Sequence, residues 1–211
     1  DAGLQQLVPY FLQFAAEGVP KHLRSPRLLL VLMQMLGCLL RNQYLFLEPY
    51  LHQMMPPILT CLVGKRLAED PTDTVHWMVR DEAAALVAAI CTTYGSVYGS
   101  LVPRVAKTLA KAWLDASKPL TTHYGAIAGI AALGPAAIDS LLLPSLDQYM
   151  QALNPAAHQG SIEHEAVGGL LAKCVAIWRQ ANANTPLDPA LQEKQALLQK
   201  WFPEDQFMEE N

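Results

Sequence analysis

The stretch Tyr124-Gly-Ala-Ile-Ala-Gly-Ile-Ala-Ala-Leu133 decides the fold, because it is apolar on every side yet built mostly from small residues. A helix that is apolar all round must be buried by partners on several faces. Gly and Ala also let neighbouring backbones approach closely. Related Ala- and Gly-rich segments occupy 81–90 and 165–175, and a bulkier apolar segment occupies 28–40. The sequence therefore predicts four buried helices, none of which can stand alone.

The motif Leu-x-Pro recurs ahead of these segments and sets the period of the sequence. Its four copies begin at Leu7, Leu47, Leu101 and Leu142, at intervals of 40, 54 and 41 residues. Proline is tolerated in the first turn of a helix, where its missing N–H had no partner, so each copy is predicted to mark or kink the first helix of a pair. Helix pairs repeating near 40 residues are typical of a HEAT-type α-solenoid. The predicted fold class is all-α, a superhelix of about four to five antiparallel pairs.

The predicted organisation is one repeat domain over residues 1–202, followed by an acidic tail over 203–211 that should fray. A short helix is expected to cap the open end of the array. Because the chain starts with Asp1 and shows no signal-peptide pattern, it is expected to be a fragment of a longer protein. The predicted pairs and the cap are 3–41, 44–94, 100–133, 135–181 and 189–201.

Composition disfavours several classes of protein. Of the 211 residues, 52% are hydrophobic and 16% charged, which indicates a large buried core. The longest uncharged stretch, 83–103, is interrupted by Gly and Ser and falls short of the roughly 20 apolar residues of a membrane span. The net charge of −4 comes from four acids in the last nine residues, so the body is neutral and direct nucleic-acid binding is disfavoured.

The four cysteines lie in apolar runs without a C-x-x-C pair, at intervals of 23, 30 and 83 residues. This pattern favours buried, reduced thiols of an intracellular protein over disulfides or a zinc site. The four residues are Cys38, Cys61, Cys91 and Cys174.

Catalytic and metal-binding motifs are poorly represented. The segment His158-Gln-Gly-Ser-Ile-Glu-His164-Glu165 is the densest group of metal-ligand side chains. One HEAT-like hydroxylase family binds iron through several His-Glu pairs on successive repeats, but His164-Glu165 is the single such dipeptide here. A HEAT-like metal-binding enzyme is therefore kept as the alternative function. The main prediction is a protein without catalytic residues, cofactor, metal or small-molecule substrate.

A cationic stripe follows the third Leu-x-Pro motif. Arg104, Lys107, Lys111 and Lys118 share one helix face, while the opposite face carries an apolar stripe that ends at Trp113. Two interpretations remain open: a solvated face above a buried stripe, or a contact surface for an acidic partner segment.

The stretch His76-Trp-Met-Val-Arg-Asp-Glu-Ala-Ala84 also has two interpretations. Trp77 and Arg80 are of the residue types most enriched at interface hot spots. Arg80 and Asp81, at the start of an inner helix, could instead form a ladder between repeats, because a carboxylate is favoured early in a helix and can accept donors from the next turn. We expect a ladder for Arg80 and Asp81, and an interface for His76 and Trp77.

Four segments carry a resemblance to a known family. They are 49–61 (PYLHQMMPPILTC), 76–81 (HWMVRD), 107–113 (KTLAKAW) and 121–134 (TTHYGAIAGIAALG). Their order and spacing resemble the C-terminal HEAT domain of transcription initiation factor TFIID subunit 6, from Leu4 to about Leu153. The paralogous subunit of the SAGA coactivator is similar enough to be an alternative.

The resemblance implies a nuclear, non-catalytic scaffold that docks other subunits of TFIID, and in some organisms of SAGA, to support RNA polymerase II initiation. Full-length members pair with subunit 9 through an N-terminal histone-fold that is not part of these 211 residues. The interaction candidates are His76, Trp77, Arg80, Asp81, Arg104, Lys107, Lys111, Trp113, Lys118, His123 and Tyr124.

Overall fold

The computed structural model describes residues 2–70, 73–153, 160–186 and 188–203. These residues form helices, turns and connecting segments and contain no β-strand, which confirms the predicted all-α class. No helix in these four ranges has the length and apolar character needed to span a bilayer. The acidic tail beyond Pro203 lies outside the described residues, and its fraying stays a prediction.

The helices follow one another along the chain with short connections. A 3₁₀ turn, Glu48–Tyr50, precedes α3, and a π-helical turn, Ile138–Leu142, joins α7 to α8. The bounds are α1 Ala2–Lys21, α2 Pro26–Arg41, α3 Leu51–Val63, α4 Val75–Tyr94, α5 Leu101–Leu114, α6 Leu120–Ala132, α7 Pro135–Ala137, α8 Leu143–Leu153, α9 Ile162–Asn182 and α10 Pro189–Trp201.

The helices pack in two layers around one core. The inner layer consists of α2, α4, α6 and α9, each packed on the next, and contains the Ala- and Gly-rich segments. In the outer layer α1 packs on α3, whereas α3 and α5 hardly touch each other and rest on α4 and α6 instead. The layer that the small residues build is therefore tight, and the outer layer opens between α3 and α5.

The four prolines of the Leu-x-Pro motif take different places. Pro49 lies in the 3₁₀ turn before α3, and Pro103 lies in the first turn of α5, as predicted. Pro9 lies well inside α1. Pro144 follows the π-helical turn. A proline ring inside a helix crowds the carbonyl group four residues earlier, and the wider π-helical turn gives that carbonyl room.

Burial corrects one of the cysteine predictions. Cys61, Cys91 and Cys174 are free and buried, and burial raises the pKa of the Cys61 and Cys174 thiols to about 12. Cys38, in contrast, is exposed on α2. The apolar run around Cys38 covers both the buried and the exposed side of α2. An apolar run alone therefore did not show on which side Cys38 lies.

Candidate interaction site

Arg80 lies in the interior and ties α4 to the end of α3. Its side chain is 0% exposed, and its two Nη groups donate hydrogen bonds of 2.8 Å to the carbonyl oxygens of Leu62 and Gly64. Those carbonyls belong to the C-terminal end of α3, where the helix dipole favours a cation. Burial lowers the pKa of Arg80 to about 10, so the guanidinium remains charged at neutral pH.

Gly125 brings α6 against the same carbonyl. A Cβ at this position would collide with the carbonyl oxygen of Leu62 and would lie 3.2 Å from Nη1 of Arg80. One turn later, a Cβ on Gly129 would lie 2.9 Å from the side chain of Leu109. The glycines of the 124–133 segment therefore permit the close approach of α3, α5 and α6. We call the contact among Arg80, Leu62, Gly64 and Gly125 the central junction.

The ladder prediction is met by one of its two residues. Arg80 binds the first helix of its own repeat, whereas the carboxylate of Asp81 accepts a hydrogen bond of 2.9 Å from the hydroxyl of Tyr124 on the next inner helix. Burial raises the pKa of Asp81 and of Tyr124. A link between repeats therefore exists, but it is an Asp–Tyr pair.

His76 and Trp77 stack beside this pair. The Trp77 ring lies 4.1 Å from the His76 ring and 4.6 Å from the Tyr124 ring, measured between centroids. Trp77 and Tyr124 keep part of their surface exposed, but His76 is buried. Burial, together with the nearby charge of Arg80, lowers the pKa of His76. The interface interpretation of His76 is therefore wrong as far as direct contact is concerned, and Trp77 offers an exposed edge.

Trp113 and His123 are also interior residues, because the apolar stripe of α5 and the small-residue face of α6 meet α8 there. The Nε2 of His123 lies 3.1 Å from the carbonyl oxygen of Asp115, and its Nδ1 lies 3.0 Å from the hydroxyl of Tyr149. A carbonyl can only accept, so Nε2 carries the hydrogen and Nδ1 accepts from Tyr149. Trp113 is 0% exposed and His123 6%, so neither presents an exposed face to a partner.

The cationic stripe of α5 lies on the surface. Arg104, Lys107 and Lys111 are exposed, and none of them forms an ion pair within the described ranges. Lys118 lies beyond the end of α5 and does not share this helix face, which corrects the prediction, and its Nζ lies 3.8 Å from a carboxylate oxygen of Asp115. Since α5 has no acidic residue of its own, the stripe presents uncompensated positive charge.

A groove of about 610 Å³ borders this stripe, where the outer layer opens between α3 and α5. Residues of α3 that sequence reasoning did not select, His52, Met55 and Leu59, line one wall. The sequence does contain a signal for this wall. The three side chains recur at intervals of three and four residues, on a helix that has no Lys, Arg, Asp or Glu. The hydroxyl of Tyr98 donates a 2.7 Å hydrogen bond to Glu48 across one end of the groove.

The metal interpretation finds no structural support in the described ranges. These contain no group of three or more His, Cys, Asp or Glu side chains arranged to hold a metal ion. His164 and Glu165 lie in the first turn of α9, where the Ser161 side chain accepts from the backbone N–H of His164. His158 lies outside the described residues.

Comparison with known proteins assigns this architecture to one family. Residues 1–147 match the family described as the TAF6 C-terminal HEAT repeat domain. A solved TAF6 C-terminal domain from Antonospora locustae superimposes with a TM-score of 0.69 at 30% identity, covering 83% of this chain and 82% of that one.

Two curated relatives are more similar in sequence. The SAGA complex/transcription factor TFIID complex subunit Taf6 of Schizosaccharomyces pombe is 45% identical over 77% of this chain, and transcription initiation factor TFIID subunit 6 of Arabidopsis thaliana is 48% identical over 74%. The aligned regions make up 36% and 28% of those proteins. With the repeat architecture and the match over 1–147, they show that the chain belongs to the family of TAF6 C-terminal HEAT repeat domains.

Proposed function

We propose that this chain is a non-catalytic docking scaffold that holds other subunits of TFIID, and of SAGA where the subunit is shared, during initiation by RNA polymerase II. The observation that carries the proposal is the family match over residues 1–147. The relatives that share the match are themselves described as subunits of TFIID, or of both TFIID and SAGA. Such a subunit acts in the nucleus.

The geometry supports a docking role. A solenoid exposes an extended surface that is suited to binding other chains. Of the residues predicted from sequence, those with accessible side chains stay in the proposal as contact residues: Trp77, Asp81, Arg104, Lys107, Lys111, Lys118 and Tyr124. The pairing with subunit 9, which the family resemblance assigns to a histone-fold outside these 211 residues, is part of the same proposal.

Affinity purification from nuclei tests the proposal. The chain, tagged within its full-length protein, should co-purify with TFIID subunits, and with SAGA subunits where the protein serves both complexes. Amine-reactive crosslinking of the purified complex should then join Lys107, Lys111 or Lys118 to a neighbouring subunit. Purification without subunits of either complex would contradict the scaffold role. Recovery of SAGA subunits alone would assign the chain to the SAGA-type paralogue.

A further inference from the structure

The groove between α3 and α5 has the form of a helix-binding surface. His52, Met55 and Leu59 follow one another on α3 at intervals of three and four residues. The opposite wall repeats this spacing on α5, where Leu101, Arg104 and Thr108 line the groove. Side chains at this spacing share one face of a helix. The groove is therefore bounded by two helix faces that follow its length.

The charges of the two walls are unequal. The wall formed by α3 has no Lys, Arg, Asp or Glu from Leu51 to Val63. The wall formed by α5 carries Arg104 and no acid, and the exposed Lys107 and Lys111 follow on the same helix outside the groove lining. Glu48, the acid at the groove, lies at one end and accepts a hydrogen bond from Tyr98. An occupant therefore meets a mainly apolar α3 wall and the unpaired cation of Arg104 in the α5 wall, with two more cations farther along α5.

We propose that this groove binds an acidic amphipathic helix from another subunit. Helix-in-groove binding uses apolar anchors at intervals of three and four residues, which matches the spacing of both walls. Carboxylates along one flank of the bound helix would face Arg104, Lys107 and Lys111, and this complementarity determines the orientation of the helix. The proposal rests on the docking function above and names its partner chemistry.

The dimensions limit the occupant. From Leu101 to Thr108 the wall formed by α5 rises about 10 Å, so about two turns of a bound helix lie against it. A segment of roughly 11 to 15 residues is sufficient. The Glu48–Tyr98 pair repels a carboxylate at its end of the groove, so the acidic residues of the occupant are expected nearer Lys107 and Lys111.

Fluorescence anisotropy with a designed probe tests the proposal on the 211-residue chain. The probe is a dye-labelled, stapled helical peptide of about 15 residues, with Leu at intervals of three and four on one face and Glu along one flank. Its control has Gln in place of each Glu. The acidic probe should bind saturably and more tightly than the Gln peptide, and its affinity should fall as salt screens the charges.

Paired variants locate the site. Arg104→Glu/Lys107→Glu should weaken binding of the acidic probe roughly tenfold or more. Arg24→Glu/Arg27→Glu makes the same charge change at the same spacing on exposed residues elsewhere and should leave the affinity nearly unchanged. Met55→Gln, in the uncharged wall, should weaken both peptides by about fivefold. Circular dichroism melts check that each variant stays folded.

Several outcomes would overturn the proposal. The first is the absence of saturable binding at about 1 mM probe. The second is an equal loss of probe affinity in the two double variants, and the third is binding of duplex DNA in place of the peptide. A fourth is self-association of the chain that Arg104→Glu/Lys107→Glu abolishes, since a second copy would then occupy the groove. If the acidic probe does not bind the chain while the wild-type full-length protein still co-purifies with the complex, the groove proposal fails and the scaffold function stands. If the wild-type chain does not co-purify, the scaffold function itself fails.

Discussion

The central junction and the C-terminal end hold their helices together in opposite ways. At the junction, α3, α4 and α6 meet through a buried guanidinium, two carbonyl oxygens and a glycine, without a carboxylate. At the C-terminal end, two partly exposed carboxylates add to the buried Leu191 and Leu198 in holding α10. Asp139 accepts from Lys194 at 2.7 Å and from Trp178 at 2.8 Å, and Asp147 accepts from Lys200 at 2.6 Å and from Trp201 at 2.7 Å.

The difference between the two regions is one of solvent access. A buried donor or acceptor that loses its partner costs the full desolvation penalty, whereas an ion pair near the surface contributes little and is screened by salt. The side chains of Asp139 and Lys194 are 37% and 36% exposed, but Arg80 is 0% exposed. The junction should therefore be sensitive to the shape and hydrogen bonding of its side chains, and the C-terminal end to salt and acid.

The largest effect is expected from Gly125→Ala. The new Cβ would collide with the carbonyl oxygen of Leu62, so α6 must move away and the hydrogen bond from Arg80 must deform. We expect the free energy of unfolding to fall by about 4 kcal/mol, measured by urea denaturation. Gly169→Ala on α9 is the matched control, because nothing lies within 4 Å of its Cβ position. Equal stability of the two variants would contradict the proposed packing.

Arg80→Met should be next. It leaves the buried carbonyl of Leu62 without the Arg80 donor and that of Gly64 with the longer hydrogen bond of 3.5 Å from the Thr122 hydroxyl, at a cost of about 3 kcal/mol. Arg80→Lys should recover part of the loss, because an ammonium group can reach one carbonyl but cannot match the fork. The loss should be nearly the same in about 0.05 M and about 0.5 M salt, since a buried group is weakly screened. A strong salt dependence would place Arg80 at the surface.

Asp139→Asn addresses the other region. It removes the ion pair with Lys194 but keeps an acceptor for Trp178, so the expected loss is about 0.5 to 1 kcal/mol. In contrast to Arg80→Met, this loss should shrink as salt increases. Hydrogen exchange should show faster opening of α10 and little change in α4. Equal acceleration in both helices would show that the two regions are not independent.

The smallest expected effect is on the pH dependence of stability, because the buried histidines and the carboxylates that hold α10 titrate in different pH ranges. Burial lowers the pKa of His76 and His123, so the unfolded chain binds the proton more readily and stability falls as pH drops below about 6.5. In a melt series from about pH 7.5 to 5.5, His123→Gln should show a smaller decline than the wild type, by less than about 1 kcal/mol. Exposed His22→Gln is the control, and an equal decline in all three proteins would contradict the assignment.

The carboxylates respond at lower pH. Burial opposes the shift, but the hydrogen bonds from Lys194 and Trp178 hold the pKa of Asp139 below its usual value. Hydrogen bonds from Lys200 and Trp201 do the same for Asp147. Their contribution is present above about pH 4 and is lost as pH falls through the lowered pKa values.

Sequence periodicity predicted the helices well because it records which side of each helix is buried. The stretch 124–133 identified an inner helix, and its two glycines lie where α6 approaches α3 and α5 too closely for a Cβ atom. Periodicity could not separate Ala85, which is exposed, from Ala128, which is buried on a similar Ala-rich segment. Leu should therefore be tolerated at the first position only.

Contacts between distant segments were beyond the sequence. Trp77 and Arg80 are of the types enriched at interfaces, but an arginine is equally suited to an interior position with carbonyl partners. Only the placement of α3 beside α4 shows that Arg80 binds Leu62 and Gly64. The groove wall of α3 was missed for a related reason. The groove exists because α5 lies apart from α3, and the sequence of α3 alone does not determine that distance.

The carbonyl oxygen of Leu62 has a consequence for how the protein comes apart. Repeat proteins are described as near-independent units whose ends can open while the middle persists. Here one backbone atom is bound by α4 and covered by α6, so neither helix can leave α3 without exposing it. The second and third repeats should therefore unfold cooperatively as a single foldon. Deleting either repeat to shorten the array would remove a partner of the other, so this solenoid is not modular at its centre.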